Sequence, residues 1–392
     1  MPEFLLVVGI LVAAFVGYNI GGSSTGVAFG PAVGSKVVTK FGAAALMSVF
    51  ALLGGWTVGR NVIKTMGGDI VPSEQFTLGA SVGVLFFVGV ALLVSNRYGV
   101  PASTSMTAVG SIAGLGAATG TLQMATMGRI VSAWVVAPVI AFWVCAVIGR
   151  YAYPYMDAAF RLDAAEGSLF SWADGGRLSY PTGVSEEATT RQFVASVLVV
   201  GIGCYMAFSA GASNTANAVA PLVGGGYMDA GVGVVLAGAA IAVGAFTIAR
   251  RTLDTVGNDL TDLPLLAALI VEVVSASLIT FLSYLGIPAS LAVSATMCIV
   301  GLGWGRATRT VRANDALSGD AEAPVSVGSL AADRADTPRD VPQIGEEDPE
   351  ELAAADLFDP ATVGRVVILW VLTPSVAAAA SFALFSFVPI VT

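Results

Sequence analysis

"GASNTANAVAP", residues 211–221, puts hydroxyl and amide side chains between two long apolar runs. "GGSSTGVAFGP", residues 21–31, has the same pattern. Gly21, Ser23, Thr25, Ala28 and Pro31 recur as Gly211, Ser213, Thr215, Ala218 and Pro221, each 190 positions later. "RNVIKTMGGDI" (60–70) meets "RRTLDTVGNDL" (250–260) at that spacing, pairing Arg60, Thr65, Gly67 and Asp69 with Arg250, Thr255, Gly257 and Asp259. "GVPAS" (99–103) recurs as "GIPAS" (286–290), with the offset slipped to 187. Three matches in one order make the chain an internal duplication.

The surrounding sequence is that of a membrane protein. Of its 392 residues, 56% are hydrophobic and 11% are charged, and the mean hydropathy is +0.81. Soluble domains carry roughly 25% charged residues. Uncharged runs such as 42–59, 130–149, 230–249 and 366–390 approach or exceed the about 20 residues that a helix needs to span a bilayer. The run 4–16 has no basic n-region or A-x-A site and reads as a retained helix. The expected fold is an all-α polytopic membrane protein of the cell membrane, its two homologous halves forming an inverted repeat with broken helices or re-entrant hairpins. Residues 1–150 form the first transmembrane repeat, 151–191 a polar central loop and 192–311 the second repeat. Residues 312–360 form an acidic disordered loop and 361–392 a C-terminal transmembrane helix. The net charge of −9 is concentrated in that acidic stretch, which includes Glu346-Glu347-Asp348 and Glu350-Glu351.

Several chemistries are excluded. With no histidine, a His-based protease, proton relay or haem site is impossible. Cys145, Cys204 and Cys298 lie in separate apolar runs and read as buried free thiols. A P-loop G-x-x-x-x-G-K-[ST] is absent. No enzyme activity and no cofactor are expected. Arg60 with Lys64 and Arg250 with Arg251 occupy equivalent places in the two halves, so the basic residues do not fix the orientation.

Duplicated transporters place substrate at the midplane between the halves, where hydrophobic segments are short or interrupted. Such segments follow both motifs: 25–34 and 215–224 after the Ser/Asn cluster, 101–117 and 288–303 after Pro-Ala-Ser. Each reads as a half-helix or re-entrant hairpin. The N-terminus of a half-helix offers N–H groups and a positive dipole end to an anion, and Ser and Thr add hydroxyl donors. The anion-binding candidates are therefore Ser23, Ser24, Thr25, Ser103, Thr104, Ser105, Ser213, Asn214, Thr215 and Ser290. Asparagine oxygens suit a small cation, which gives Asn214 and Asn217. Glu272, an acid within an apolar run, is a further cation-binding candidate.

These motifs resemble those of the inorganic phosphate transporter (PiT) family, whose halves carry G-A-N-D-x-A-N-A-type and P-V-S-T-T-H-type motifs. "GASNTANAVAP" is similar to the first type, "GVPASTSMTAVGSIAGLG" to the second, and "DTVGNDLTDLPLLAALIVEVVSA" to the family's T-V-G-x-x-I-x-x-L segment, with Glu272 at its acidic position. The resemblance implies sodium- or proton-coupled phosphate uptake by alternating access. Position by position, the family's Asn-Asp pair falls on Ser23-Ser24 and Ser213-Asn214. Its later Asn is kept as Asn217 but replaced by Val27 in the first half. Both motif aspartates, the family's expected cation ligands, are gone, which removes two charges that repel an anion. The implied function is cation symport of inorganic phosphate into the cell. Sulfate or another tetrahedral oxyanion, or a passive anion channel, is the alternative. The expected coupling ion is sodium or a proton, with no metal beyond sodium. The expected partners are phosphate and membrane lipid, with no nucleic acid; a homodimer stays open.

Overall fold

The computed structural model describes residues 2–98, 103–160, 170–174, 179–184, 190–248, 263–310, 344 and 360–388. The first repeat comprises α1 (Pro2–Gly34), α2 (Lys40–Thr57), α3 (Gly59–Lys64) running into a π turn (Thr65–Asp69), α4 (Leu78–Tyr98), α5 (Thr104–Thr119) and α6 (Met124–Val147). A second π turn (Ile148–Ala152) leads into α7 (Tyr153–Phe160). The second repeat follows with α8 (Thr190–Gly224), α9 (Ala230–Thr247), α10 (Leu265–Tyr284), α11 (Leu291–Ala307) and α12 (Pro360–Phe387). Among the described residues, seven helices are long and apolar enough to cross a membrane. The protein is a multi-pass integral membrane protein. Its outward-facing side chains include Val135, Trp143, Val235 and Val371, suited to lipid.

Two features differ from the expected architecture. The central loop contains a short antiparallel pair, β1 (Phe170–Asp174) with β2 (Ser179–Val184). The Ser/Asn motifs do not break their helices: 25–34 and 215–224 are the last turns of the 33-residue α1 and the 35-residue α8. The hydroxyls there bond back to carbonyls of their own helix, Thr25 to Gly21 O and Thr215 to Gly211 O, both at 2.7 Å. No proline intervenes before Pro31 and Pro221, near the helix ends. Asp259 and the acidic stretch of 312–359, apart from Ile344, lie outside the described residues.

Close approaches between helices show how the repeats are related. Gly9 faces Leu222, whereas Gly203 faces Ala28 and Phe29, so α1 and α8 run antiparallel. A Cβ on Gly21 would strike the Ile241 carbonyl, and one on Gly211 would strike that of Ala51. Gly54 and Phe208 are likewise matched by Gly244 and Tyr18. Each contact maps onto its partner by the 190-residue offset, in opposite chain direction. This is the relation expected of an inverted repeat with a pseudo-two-fold axis.

The same exchange governs the short helices. Gly110 and Gly114 of α5 pack on the backbone of α12 at Pro374 and Ala378. Gly301 and Gly305 of α11 pack on α6 at Phe142 and Ala146. Small residues at such spacing let helices approach closely in a bilayer, where packing rather than water exclusion holds them together. Cys145 and Cys298 lie on these two packed helices and are both buried. Both remain free cysteines.

Candidate functional site

The Pro-Ala-Ser motifs start helices, as expected. Ser103 and Ser290 are N-caps: Ser103 Oγ accepts from Met106 N and Ser290 Oγ from Val293 N, each at 3.3 Å. Both serines are buried. As acceptors, their hydroxyls keep a proton to donate elsewhere. α5 folds back along α4. Its C-terminal end lies against Val71 and Leu122, and Gln123 N donates to Ile70 O at 3.0 Å, just before α4 begins. In the second repeat, α10 and α11 turn at Gly286, whose φ of 71° lies in the left-handed region that favours glycine. Asn61 Nδ2 donates to Tyr284 O there at 2.8 Å.

The two helix starts converge. Met106, in the first turn of α5, and Val293, in the first turn of α11, share one buried cluster with Trp370 of α12 and Trp134 of α6. Trp134 Nε1 donates to Pro288 O at 2.8 Å. The second-repeat motif reaches the same region, since Asn217 Nδ2 donates to Ser105 Oγ and to Asn214 Oδ1, both at 3.1 Å. Asn217 is 1% exposed, and its Oδ1 has no hydrogen-bond partner among the described residues. Ser103, Ser105, Asn214 and Asn217 thus form one polar group beside the start of α5. Thr104, half-buried, opens that helix.

The other candidates lie apart or are occupied. Ser213 Oγ donates to Ala210 O at 3.3 Å, and Ser23 Oγ to Asn19 O and Ile20 O, both at 3.2 Å. With Thr25 and Thr215 likewise engaged, four predicted anion donors spend their protons within their own helices. Ser24 is half-buried in α1, and Val27, at the repeat position of Asn217, is exposed. The polar group is therefore asymmetric.

Glu272 does not join it. Leu198 and Ile202 face the Leu266–Val274 portion of α10 across a common cleft, while Ser209 Oγ donates to Ala276 O. α8 and α10 therefore run in the same direction, with Glu272 two to three turns before Asn214. Glu272 is 5% exposed, and its Oε1 has no hydrogen-bond partner among the described residues.

Trp134 and Trp370 were missed in the sequence. Each is the eleventh residue of the helix that closes its repeat, but the acidic loop shifts the second relative to the 190-residue spacing.

Antiparallel long helices and a buried polar group at the start of a short helix are features met in membrane transporters built from internal repeats. The model of the phosphate transporter family matches residues 20–381, and the chain belongs to that family. It is 30% identical over 295 residues to the sulfate permease CysP of Bacillus subtilis, covering 75% of this chain and 76% of that one. It is 24% identical over 390 residues to inorganic phosphate transporter 2-1, chloroplastic, of Arabidopsis thaliana, covering 78% and 66% respectively. A solved structure described as the sodium-dependent phosphate transporter shares the fold, with a TM-score of 0.68 at 19% identity over 97% of this chain and 98% of that one.

Proposed function

We propose that this chain is a secondary-active carrier that imports inorganic phosphate by cation symport and alternating access, and that it is not an enzyme. The observation that carries the reading is the pairing of two buried N-cap serines, Ser103 and Ser290, on short helices whose first-turn residues Met106 and Val293 share one buried cluster, with the Asn214–Asn217–Ser105 group at the start of α5. Two helix N-termini supply N–H donors and positive dipole ends to an anion without any buried cationic side chain. The unpartnered Asn217 Oδ1 is an acceptor, suited either to a small cation or to the proton that phosphate retains at neutral pH. The name of the structural neighbour favours sodium as the coupling ion. Asn214 and Asn217 are its proposed ligands, with Glu272 a separate acidic position on the cation's route.

Sulfate is the second reading. It is favoured by the 30% identity to a sulfate permease and by the neutral Ser and Asn side chains at the motif's aspartate positions, since sulfate brings no proton that needs a carboxylate acceptor. Uptake of labelled phosphate and, separately, of labelled sulfate into proteoliposomes, with and without a sodium gradient and with the other anion in excess, decides between them. Sodium-stimulated phosphate uptake that resists sulfate supports the first reading. Phosphate uptake abolished by sulfate supports the second, and uptake of neither anion overturns both.

A further inference from the structure

Trp370 stands where the two helix starts meet. Its ring packs on Met106 and Val293, each in the first turn after a capping serine. The residue is 8% exposed, and its Nε1 has no hydrogen-bond partner among the described residues. An indole nitrogen only donates, so nothing but an acceptor can satisfy it. A buried donor left unpaired is unfavourable to a degree comparable with a lost hydrogen bond. Its counterpart Trp134 sits in the same cluster with its N–H already committed to Pro288 O. One of two matched indoles is satisfied by protein, and the other, in the cluster that joins the first turns of α5 and α11, has no acceptor for its N–H among the described residues.

We infer that Trp370 is a substrate-binding residue, donating its indole N–H to an oxygen of the transported tetrahedral oxyanion. This rests on the proposed anion carriage and adds a donor that the sequence motifs do not contain. An indole donor fits the rest of the site, which attracts the anion through neutral N–H and O–H groups. It also explains why an unpaired donor persists in a protein core: bound anion supplies the acceptor. Trp134, held by Pro288, is instead a positioning residue for the α10–α11 tip.

The test is Trp370→Phe, which keeps an aromatic ring against the Met106–Val293 cluster while removing the indole N–H and part of the ring volume, read beside Trp370→Leu, which removes the aromatic ring altogether. A hydrogen bond to a charged group is worth enough that its loss is expected to raise KM and Kd for phosphate or sulfate about ten-fold or more, with membrane abundance retained and a lowered melting temperature from the smaller ring. A wild-type protein that takes up neither anion would overturn the carrier reading itself. A transporting wild type with an unchanged KM in Trp370→Phe would overturn the indole assignment alone. If the variant does not fold, the wild type labelled with [15N]tryptophan gives the answer. One of its six indole N–H resonances is expected to move downfield on addition of phosphate or sulfate; no movement with an anion that is transported overturns the proposal.

Discussion

Asn217, in the last turns of the long helix α8, reaches Ser105 in the first turn of α5 across a 3.1 Å hydrogen bond and holds Asn214 at the same distance. The bond ties a long helix of the second repeat to the short helix α5 of the first. It fixes the height of the α5 N-terminus beside the motif, and with it the place where an anion and a cation would meet.

Asn217→Ala removes this tie and the unpartnered Oδ1 together. Uptake in proteoliposomes is expected to fall about ten-fold or more, because loss of one buried hydrogen-bonding group of this kind costs about 1–3 kcal/mol. The protein should still reach the membrane in near-normal amount, judged by immunoblotting of the membrane fraction.

Ser103 caps α5, and in the proposed site it would also donate to the anion. Ser103→Ala removes a cap worth about 1 kcal/mol and should lower both the melting temperature and uptake. Ser103→Asp retains a good capping side chain but places a negative charge at the anion's approach. Its melting temperature should stay close to wild type while uptake disappears.

Gly21 and Gly211 occupy matched crossings, against Ile241 and Ala51. Gly211→Ala forces a methyl group into a neighbouring backbone, and Gly21→Ala does the same at the mirrored contact. Each should destabilise the protein by about 1–3 kcal/mol, the usual range for overpacking. A thermal-shift assay in detergent should show a similar drop for both. A harmless change at one crossing with a severe one at the other would contradict the pseudo-two-fold relation.

Glu272 lies away from the Asn214–Asn217 group, buried in α10. Glu272→Gln keeps the volume and removes the charge. The expected outcome is a changed sodium or pH dependence of uptake with the anion KM held within about two-fold, an energy difference under 1 kcal/mol. A large rise in anion KM would place Glu272 in the anion site instead.

The sequence revealed much of the fold because the repeat leaves its mark at positions that backbones touch. Gly21 and Gly211 recur since neither crossing admits a side chain, and Ser103 and Ser290 recur since each caps a buried helix start. Other roles were hidden. Thr25, Thr215, Ser23 and Ser213 look like anion donors, yet in an apolar medium the carbonyl three or four residues earlier is the nearest acceptor and takes the proton. Side chains of that kind are compatible with an unbroken helix, so the expected breaks at 25–34 and 215–224 do not form. The separation of Glu272 from Asn217 depends on how α10 slides along α8, which no spacing along the chain records. Trp370 carries no motif, and its importance rests on the unpaired donor that folding buries.

The most direct measurement of the central claim is equilibrium binding of labelled phosphate and labelled sulfate to the purified protein, wild type beside Ser103→Asp. The account predicts saturable binding of one of these anions to the wild type, lost in the folded Ser103→Asp protein. Undiminished binding by Ser103→Asp would contradict an anion site at the converging helix starts.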